Sequence, residues 1–330
     1  MLAKPSAIHQ AGQRLNEGGL VAFPTETVYG LGANALDAHA VARVFALKGR
    51  PSRNPLIVHV ADEAMAKSLT TEWPEAAQKL AKALWPGPLS LILPKAAHIP
   101  DIVTGGGPNV ALRCPDHALT LELLRQFGKP LVGPSANPSG SISPTKAAHV
   151  SAAFSPEDVF VLDGGSCRGG IESTVLLLTE HPPRILRPGL ISAEQIGSVL
   201  KGPVADFIPG IAQRESAHDV SPLQSPGTLA RHYAPTTKAV LIDSTAVKGL
   251  LADATSPVVV ISHEPVRVNP PHRLEPLPHD AKGYAAGLYA ALRSADDGKA
   301  SLIAIVKPTI NDEHKALWLA ILDRLSRATS

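Results

Sequence analysis

Over the first two hundred residues, apolar positions switch repeatedly between a helical and a strand period. The pattern predicts helices over 5–17, 37–48, 75–85, 116–127, 144–153 and 192–200. It predicts strands over 20–23, 56–60, 89–93, 110–113, 131–133, 158–162, 173–178 and 184–187. Ile8, Ala11 and Leu15 share one side of the first helix, and Val41, Val44 and Phe45 one side of the second. Asp37 and Asp116 fit N-caps, Gly128 a helix stop, and Ser192 with Gln195 a capping box. Alternation of this kind predicts an α/β fold around a twisted mixed sheet. Between 203 and 237 the period lapses into a stretch with five prolines, long for an idle connection and a candidate lid. The pattern then resumes with strand 238–243, helix 245–254, strand 257–262, helix 281–295, strand 301–306 and helix 312–327. That is a smaller Rossmann-like βαβ unit with a parallel sheet. The expected organisation is thus a catalytic domain over 1–202, a linker or lid over 203–237 and a C-terminal α/β domain over 238–330.

With 330 residues, 44% hydrophobic and 18% charged, the composition is that of a soluble globular protein. A net charge of +2 is too small to predict a nucleic-acid-binding face. Cys114 and Cys167 stand apart from any CxxC or zinc spacing, which argues against a disulfide framework or a structural metal. No run reaches membrane-spanning length and the N-terminus lacks a signal-peptide core, so a cytoplasmic location is expected.

Five segments carry candidate chemistry. In 18–35, a short apolar strand breaks at Pro24 into Thr25, Glu26, Thr27 and Tyr29, then Gly30-Leu31-Gly32, which reads as a polar pocket wall above a glycine turn. Lys48, Arg50, Arg53 and Asn54 crowd a proline-bounded loop at a helix end. That loop suits either a dipole-matched helix stop or a clamp for polyphosphate. Arg113 on an apolar strand needs a partner, either an internal carboxylate or one on a ligand. Ser135 and Asn137, two apart after strand 131–133, face the same side and can converge on one ligand. Ser143 before Pro144 fits a helix N-cap, and a helix N-terminus also attracts anions. Four glycines among residues 164–170 permit close backbone approach, in a loop that otherwise reads as a plain connection. There is no GxxxxGK[ST] loop, HExxH or GxSxG, and Gly30-x-Gly32 lacks the third glycine of a dinucleotide fingerprint.

In order along the chain, FPTETVYGLGANA, KGRPSRNPLIVH, WPGPLSLIL, VALRCPDH, PSANPSGSISPT, GIESTV, ILRPG and RHYAP resemble the YrdC-like threonylcarbamoyl-AMP synthases in their long form. The resemblance spans nearly the whole chain. It implies a YrdC-like fold and an L-threonylcarbamoyladenylate synthase, a nucleotidyltransferase acting in tRNA processing. Such enzymes join L-threonine, bicarbonate or CO2, and ATP with Mg2+, releasing pyrophosphate, and a downstream threonylcarbamoyl transferase complex modifies tRNA. The resemblance assigns Lys48, Arg50, Ser135 and Asn137 to catalysis. It assigns Arg50, Asn54, Asn109, Ser135, Ser143, Arg187 and Tyr233 to ATP, and Thr25, His59, Arg113, Gly133 and Ser173 to threonine. Metal ligands are unknown, and neither a membrane nor stable nucleic-acid binding is expected. The competing expectation is a non-enzymatic, ribosome-associated RNA-binding protein on the same scaffold. A carbamoyl-transfer domain like that of hydrogenase maturation proteins would bring acylphosphatase and zinc-finger modules, whose patterns are absent here.

Overall fold

A computed structural model describes residues 5–207, 225 and 232–330. The first unit opens with α1 (Pro5–Asn16), β1 (Leu20–Phe23), β2 (Gly30–Asn34), α2 (Ala38–Lys48), β3 (Ile57–His59), α3 (Glu63–Ser68) and α4 (Glu75–Leu84). It continues through β4 (Leu89–Pro94), α5 (Asp101–Thr104), β5 (Asn109–Arg113), α6 (Ala118–Phe127), β6 (Leu131–Val132) and α7 (Ala147–Ser151). It closes with β7 (Val159–Val161), β8 (Thr174–Leu177), β9 (Arg184–Arg187) and α8 (Ala193–Leu200). Nine strands form one mixed sheet in the order β7-β1-β2-β6-β3-β5-β4-β8-β9. The second unit holds β10 (Ala239–Ile242), α9 (Val247–Asp253), β11 (Val258–Ser262), β12 (Arg273–Pro276), α10 (Ala281–Ala295), β13 (Leu302–Val306) and α11 (Lys315–Ala328). Its four strands are all parallel, in the order β10-β13-β11-β12. Both the twisted mixed sheet and the smaller parallel unit agree with the expected fold class.

Local chemistry explains most element ends. Asp37 accepts hydrogen bonds from the His39 and Ala40 amides, and Gly49 ends α2 in the left-handed region at φ 59°. Ser192 and Gln195 form the capping box of α8, and Gly128 stops α6. Two expected caps differ. Asp116 ion-pairs with Arg168, and α6 begins after His117. Ser143 caps nothing: α7 starts only at Ala147, because the Pro144 carbonyl is taken by the Tyr29 amide at 2.8 Å.

The expected glycine turn at 30–32 is instead a buried strand. β2 pairs antiparallel with β1, Phe23 opposite Gly30 and Val21 opposite Gly32. A Cβ on Gly30 or Gly32 would stand 2.7 or 2.9 Å from the Phe23 ring, so glycine here makes room for an aromatic. A single apolar cluster joins the two units, in which Val28, Ile142 and Ile171 pack with Tyr284, Leu288, Tyr289 and Trp318. The expected linker at 203–237 lies outside the described residues over 208–224 and 226–231. Its last described part, from His232, returns to this junction.

Candidate active site

Strands β3 and β5 run parallel with His59 beside Arg113, and both side chains are buried at the strand ends. The Gly133 amide donates to the Ile57 carbonyl at 2.9 Å, which carries the segment after β6 across the same place. These elements, with the helix-end loop after α2 and the end of β9, enclose a cavity of about 50 Å³. Of the expected residues its wall brings together Arg50, His59, Arg113, Gly133, Ser135, Arg187 and Tyr233. It also includes Thr27, expected as part of a polar pocket wall, and Glu172 and His232, to which sequence reasoning gave no role. A larger hollow of about 660 Å³, edged by Glu75, Lys79 and His181, contains none of the expected residues.

The remaining expected residues stand behind the wall or away from it. The buried Lys48 ammonium donates to the carbonyls of Ser135 and Asn137, tying down the loop that carries both. Burial, and then the Arg50 charge, pull its pKa well below the ordinary lysine value. Asn54 is fully buried, and its Oδ1 accepts from Arg50 Nη2 at 2.7 Å. Arg50 also donates to the Asn54 and Pro55 carbonyls, so the loop fixes its guanidinium. The Asn137 amide donates to the carbonyls of Pro138 and Ser141. Ser173 Oγ meets Ser90 Oγ at 2.9 Å and accepts from Arg187 Nη2 at 3.1 Å. The Thr25 hydroxyl serves its own turn, accepting from the Thr27 and Val28 amides and donating to the Val28 carbonyl. Asn109 starts β5 at the end opposite Arg113, opposite Pro94, and does not line the cavity.

Arg113 has the internal partner that its apolar strand demanded. Its Nη2 lies 2.7 Å from Glu26 Oε2, both side chains nearly inaccessible, and its Nε donates to the Gly87 carbonyl at 3.3 Å. The Tyr29 phenol is likewise committed, donating to the Gly165 carbonyl at 2.7 Å and accepting from the Gly164 amide. The glycine-rich loop approaches protein rather than an open pocket. An added Cβ on Gly170 would stand 2.1 Å from the Ala285 carbonyl oxygen of α10, and Gly169 donates to the Glu26 carbonyl. Cys114 and Cys167 are free, buried thiols pushed up to about 12 chiefly by burial, which makes them packing residues.

His59 is held neutral. Burial, followed by the Arg113 charge, lowers its pKa well below the usual imidazole range. Its ring stands edge-on to Phe23 at 5.2 Å. Glu172 is the missed residue of most consequence. Burial pushes its carboxyl pKa up, but the charges of Arg324 and Arg187 and donated hydrogen bonds outweigh that and hold it below the usual value. Its sequence signal was only a carboxylate beside the glycine-rich loop, indistinguishable from a surface acid.

A mixed sheet gathering three arginines and a neutral histidine around one cavity, overlapped by a parallel-sheet unit, defines a two-unit α/β protein with a cationic cavity. Residues 13–189 match the family model described as telomere recombination, which covers the Sua5, YciO and YrdC proteins. Residues 191–330 match the threonylcarbamoyl-AMP synthase C-terminal domain. The threonylcarbamoyl-AMP synthase of Bacillus subtilis is 41% identical over 97% of this chain and 92% of its own length. That of Pyrococcus abyssi is 47% identical over 69% of this chain, and the match spans 66% of the archaeal protein. The crystal structure of P. abyssi Sua5 complexed with L-threonine superposes with a TM-score of 0.88 at 38% identity, covering 98% of this chain and 94% of that one. The chain belongs to the threonylcarbamoyl-AMP synthase family.

Proposed function

We propose that the cavity condenses L-threonine, bicarbonate or CO2, and ATP into L-threonylcarbamoyl-AMP and pyrophosphate, for threonylcarbamoyladenosine modification of tRNA. The observation that carries this reading is the convergence of Arg50, Arg113 and Arg187 with His59 and Ser135 on a single enclosed wall. Family membership and the archaeal threonine complex support it. They do not favour the non-enzymatic RNA-binding alternative. Catalysis is assigned to the unit over 1–202, with 203–237 as linker and 238–330 as the C-terminal unit.

Arg113, preset by Glu26, receives the threonine carboxylate, with His59 and the Gly133 backbone completing the amino-acid side and Thr25 and Ser173 supporting it from behind the wall. A site built to satisfy a substrate hydroxyl rejects analogues lacking it, because its own polar groups are then left unpaired. Arg50 and Arg187 hold the triphosphate, Lys48 and Asn54 fix the loops that present Ser135, Asn137 and Arg50, and Tyr233 completes the nucleotide side, whereas Asn109 stands off the cavity wall and Ser143 is bonded to Glu172. The neutral threonine amine attacks the carbon of CO2 and loses a proton, giving a carbamate. A carbamate oxygen then attacks the α-phosphorus, and the bond to the β-phosphate oxygen breaks to release pyrophosphate. Cations fixed beforehand stabilise the charge that develops on the leaving group. Juxtaposing three reactants supplies much of the rate, and a closed, dry cavity protects the short-lived carbamate.

Both carboxylates near the cavity are committed, Glu26 to Arg113 and Glu172 to Ser143, Tyr289 and Arg324. Among the described residues no cluster suited to a resident metal is found. Magnesium therefore enters as the companion of ATP, held by substrate phosphates and water. No described helix is long and apolar enough to cross a membrane, which is compatible with a cytoplasmic enzyme handing its product to a threonylcarbamoyl transferase complex. The test is pyrophosphate release by the full chain, expected to need threonine, bicarbonate and ATP together. Tight tRNA binding without such turnover would replace this reading with the RNA-binding one.

A further inference from the structure

Arg324 and Tyr289, in a buried cluster beside the cavity, have no part in the scheme above. Glu172 Oε1 accepts from Ser143 Oγ at 2.8 Å. Its Oε2 accepts from the Tyr289 hydroxyl at 3.0 Å and from Arg324 Nε at 2.9 Å. Tyr289 comes from α10 and Arg324 from α11, so two elements of the second unit end on a carboxylate that lines the cavity of the first. Arg324 has no exposed surface. Its Nη1 meets Asp323 at 2.8 Å, its Nη2 donates to the Pro188 carbonyl at 2.9 Å, and its guanidinium lies 5.5 Å over the Tyr233 ring. Tyr233 in turn stacks on Tyr289 at 5.7 Å. Gly170, at φ 72° and closed against Ala285, lets α10 come this near.

We propose that Arg324 and Tyr289 are positioning residues for the synthase cavity, acting through Glu172 and Tyr233; this inference rests on the reading of the cavity given above. The wall concentrates positive charge at Arg50, Arg113 and Arg187, with Lys48 just behind it. Glu172 is the carboxylate set against Arg187, and its charge has to survive burial. The groups facing it are Ser143 and Arg187 of the first unit, His232 and Tyr233 of the returning chain, and Tyr289 and Arg324 of the second unit, with Asp323 behind Arg324. Removing Arg324 deletes the largest favourable charge acting on Glu172 and leaves less to oppose its desolvation. The carboxyl pKa is then expected to rise, the negative charge near Arg187 weakens, and Tyr233 loses the cation over its ring.

A purely structural joint would lower stability without altering titration, so the experiment reads the pH profile. Threonine- and bicarbonate-dependent pyrophosphate release is measured from about pH 5 to pH 9 for the full chain, Arg324→Met, Arg324→Lys and Tyr289→Phe. Threonine affinity is followed in parallel by calorimetry. Arg324→Met is expected to lower kcat/KM roughly 100-fold and to move the acidic limb up by about one pH unit or more. Lysine should restore part of both, and Tyr289→Phe should move the limb the same way by less. Should Arg324→Met fail to fold, Tyr289→Phe, which keeps the stacked ring, decides alone. Unmoved limbs in folded variants, or lowered stability with an unchanged profile, overturn the inference while leaving the reading of the cavity intact. No turnover by the unaltered chain sinks that reading instead, and the inference is then read from the pH dependence of threonine binding.

Discussion

Replacing Gly133 with alanine tests the proposed amino-acid side of the cavity. Gly133 does not need a left-handed backbone, so the cost is one of space. A Cβ there would stand 2.6 Å from both Cε1 and Nδ1 of His59 and 2.7 Å from Phe23 Cζ. Phe23 cannot yield, since it is fully buried and Gly30 and Gly32 already press on the same ring. His59 must therefore move, and it is the imidazole beside Arg113 in the strand register. Overpacking of this kind costs roughly 1–3 kcal/mol, a factor of about 5–150 in an equilibrium constant. Thermal denaturation should show a fall of about 2–6 °C, and calorimetry a weakening of threonine binding by about tenfold or more. Gly12→Ala in α1, where nothing lies within 4 Å of the added carbon, is the control and should gain up to about 1 kcal/mol. Unchanged stability and threonine affinity in Gly133→Ala would refute the placement of His59 on this wall.

Arg50→Ala should leave the fold intact while lowering kcat by about 10²–10³ in the pyrophosphate assay, as loss of one preset donor does. Lys48→Met should depress both kcat and Tm, because it also strips the donor from the Ser135 and Asn137 carbonyls, a loss of about 1–3 kcal/mol. Glu26→Ala leaves the Arg113 charge buried and unpaired, which should cost about 3–5 kcal/mol by chemical denaturation. Acid should destabilise the protein through its buried histidines. Burial lowers His59 and takes His232 to about 3, so below the unfolded value the unfolded chain binds the extra protons and stability falls with pH. At pH 5 this amounts to about 2 kcal/mol for His232, and His232→Gln should flatten the dependence of Tm on pH.

How far these features were legible depends on the range of the interactions that set them. Strands such as 20–23 and 184–187, and helices with apolar faces such as 281–295, were readable because burial on one side repeats at the period of the element. The four-residue α5 and six-residue α3 are too short to display a helical period, and β12 (RLEP) is a polar edge strand with no alternation. β2 was hidden because its glycines answer to Phe23 on the neighbouring strand, a contact that local sequence does not carry. The cationic loop after α2 and Arg113 were visible as charges out of place. What they touch was not: Lys48 reaches carbonyls some 90 positions away, and Glu172 meets Arg324 across the whole second unit. Motif order could single out these residues, whereas their separation into wall and support needed three dimensions.

The small size of the cavity has a consequence for how the two units work together. Pockets for drug-sized ligands run to about 300–1,000 Å³, whereas this one offers about 50 Å³. Tyr233 and His232 form part of its wall, so their placement bears directly on the space it offers. Tyr233 sits at φ 62°, an unfavourable region for a bulky side chain that costs about 1–3 kcal/mol unless neighbours over-determine it. Those neighbours straddle the junction. The Ala234 amide donates to the Gly140 carbonyl of the first unit at 2.9 Å, and the His232 amide to the Arg327 carbonyl of α11 at 3.2 Å. Tyr289 and Arg324 cover the ring itself. The positive-φ conformation is thus maintained jointly by the loop at Gly140 and the second unit. Displacing Tyr233 would break its contacts with Tyr289 and Arg324, so the position of this ring and the joint between the units are coupled.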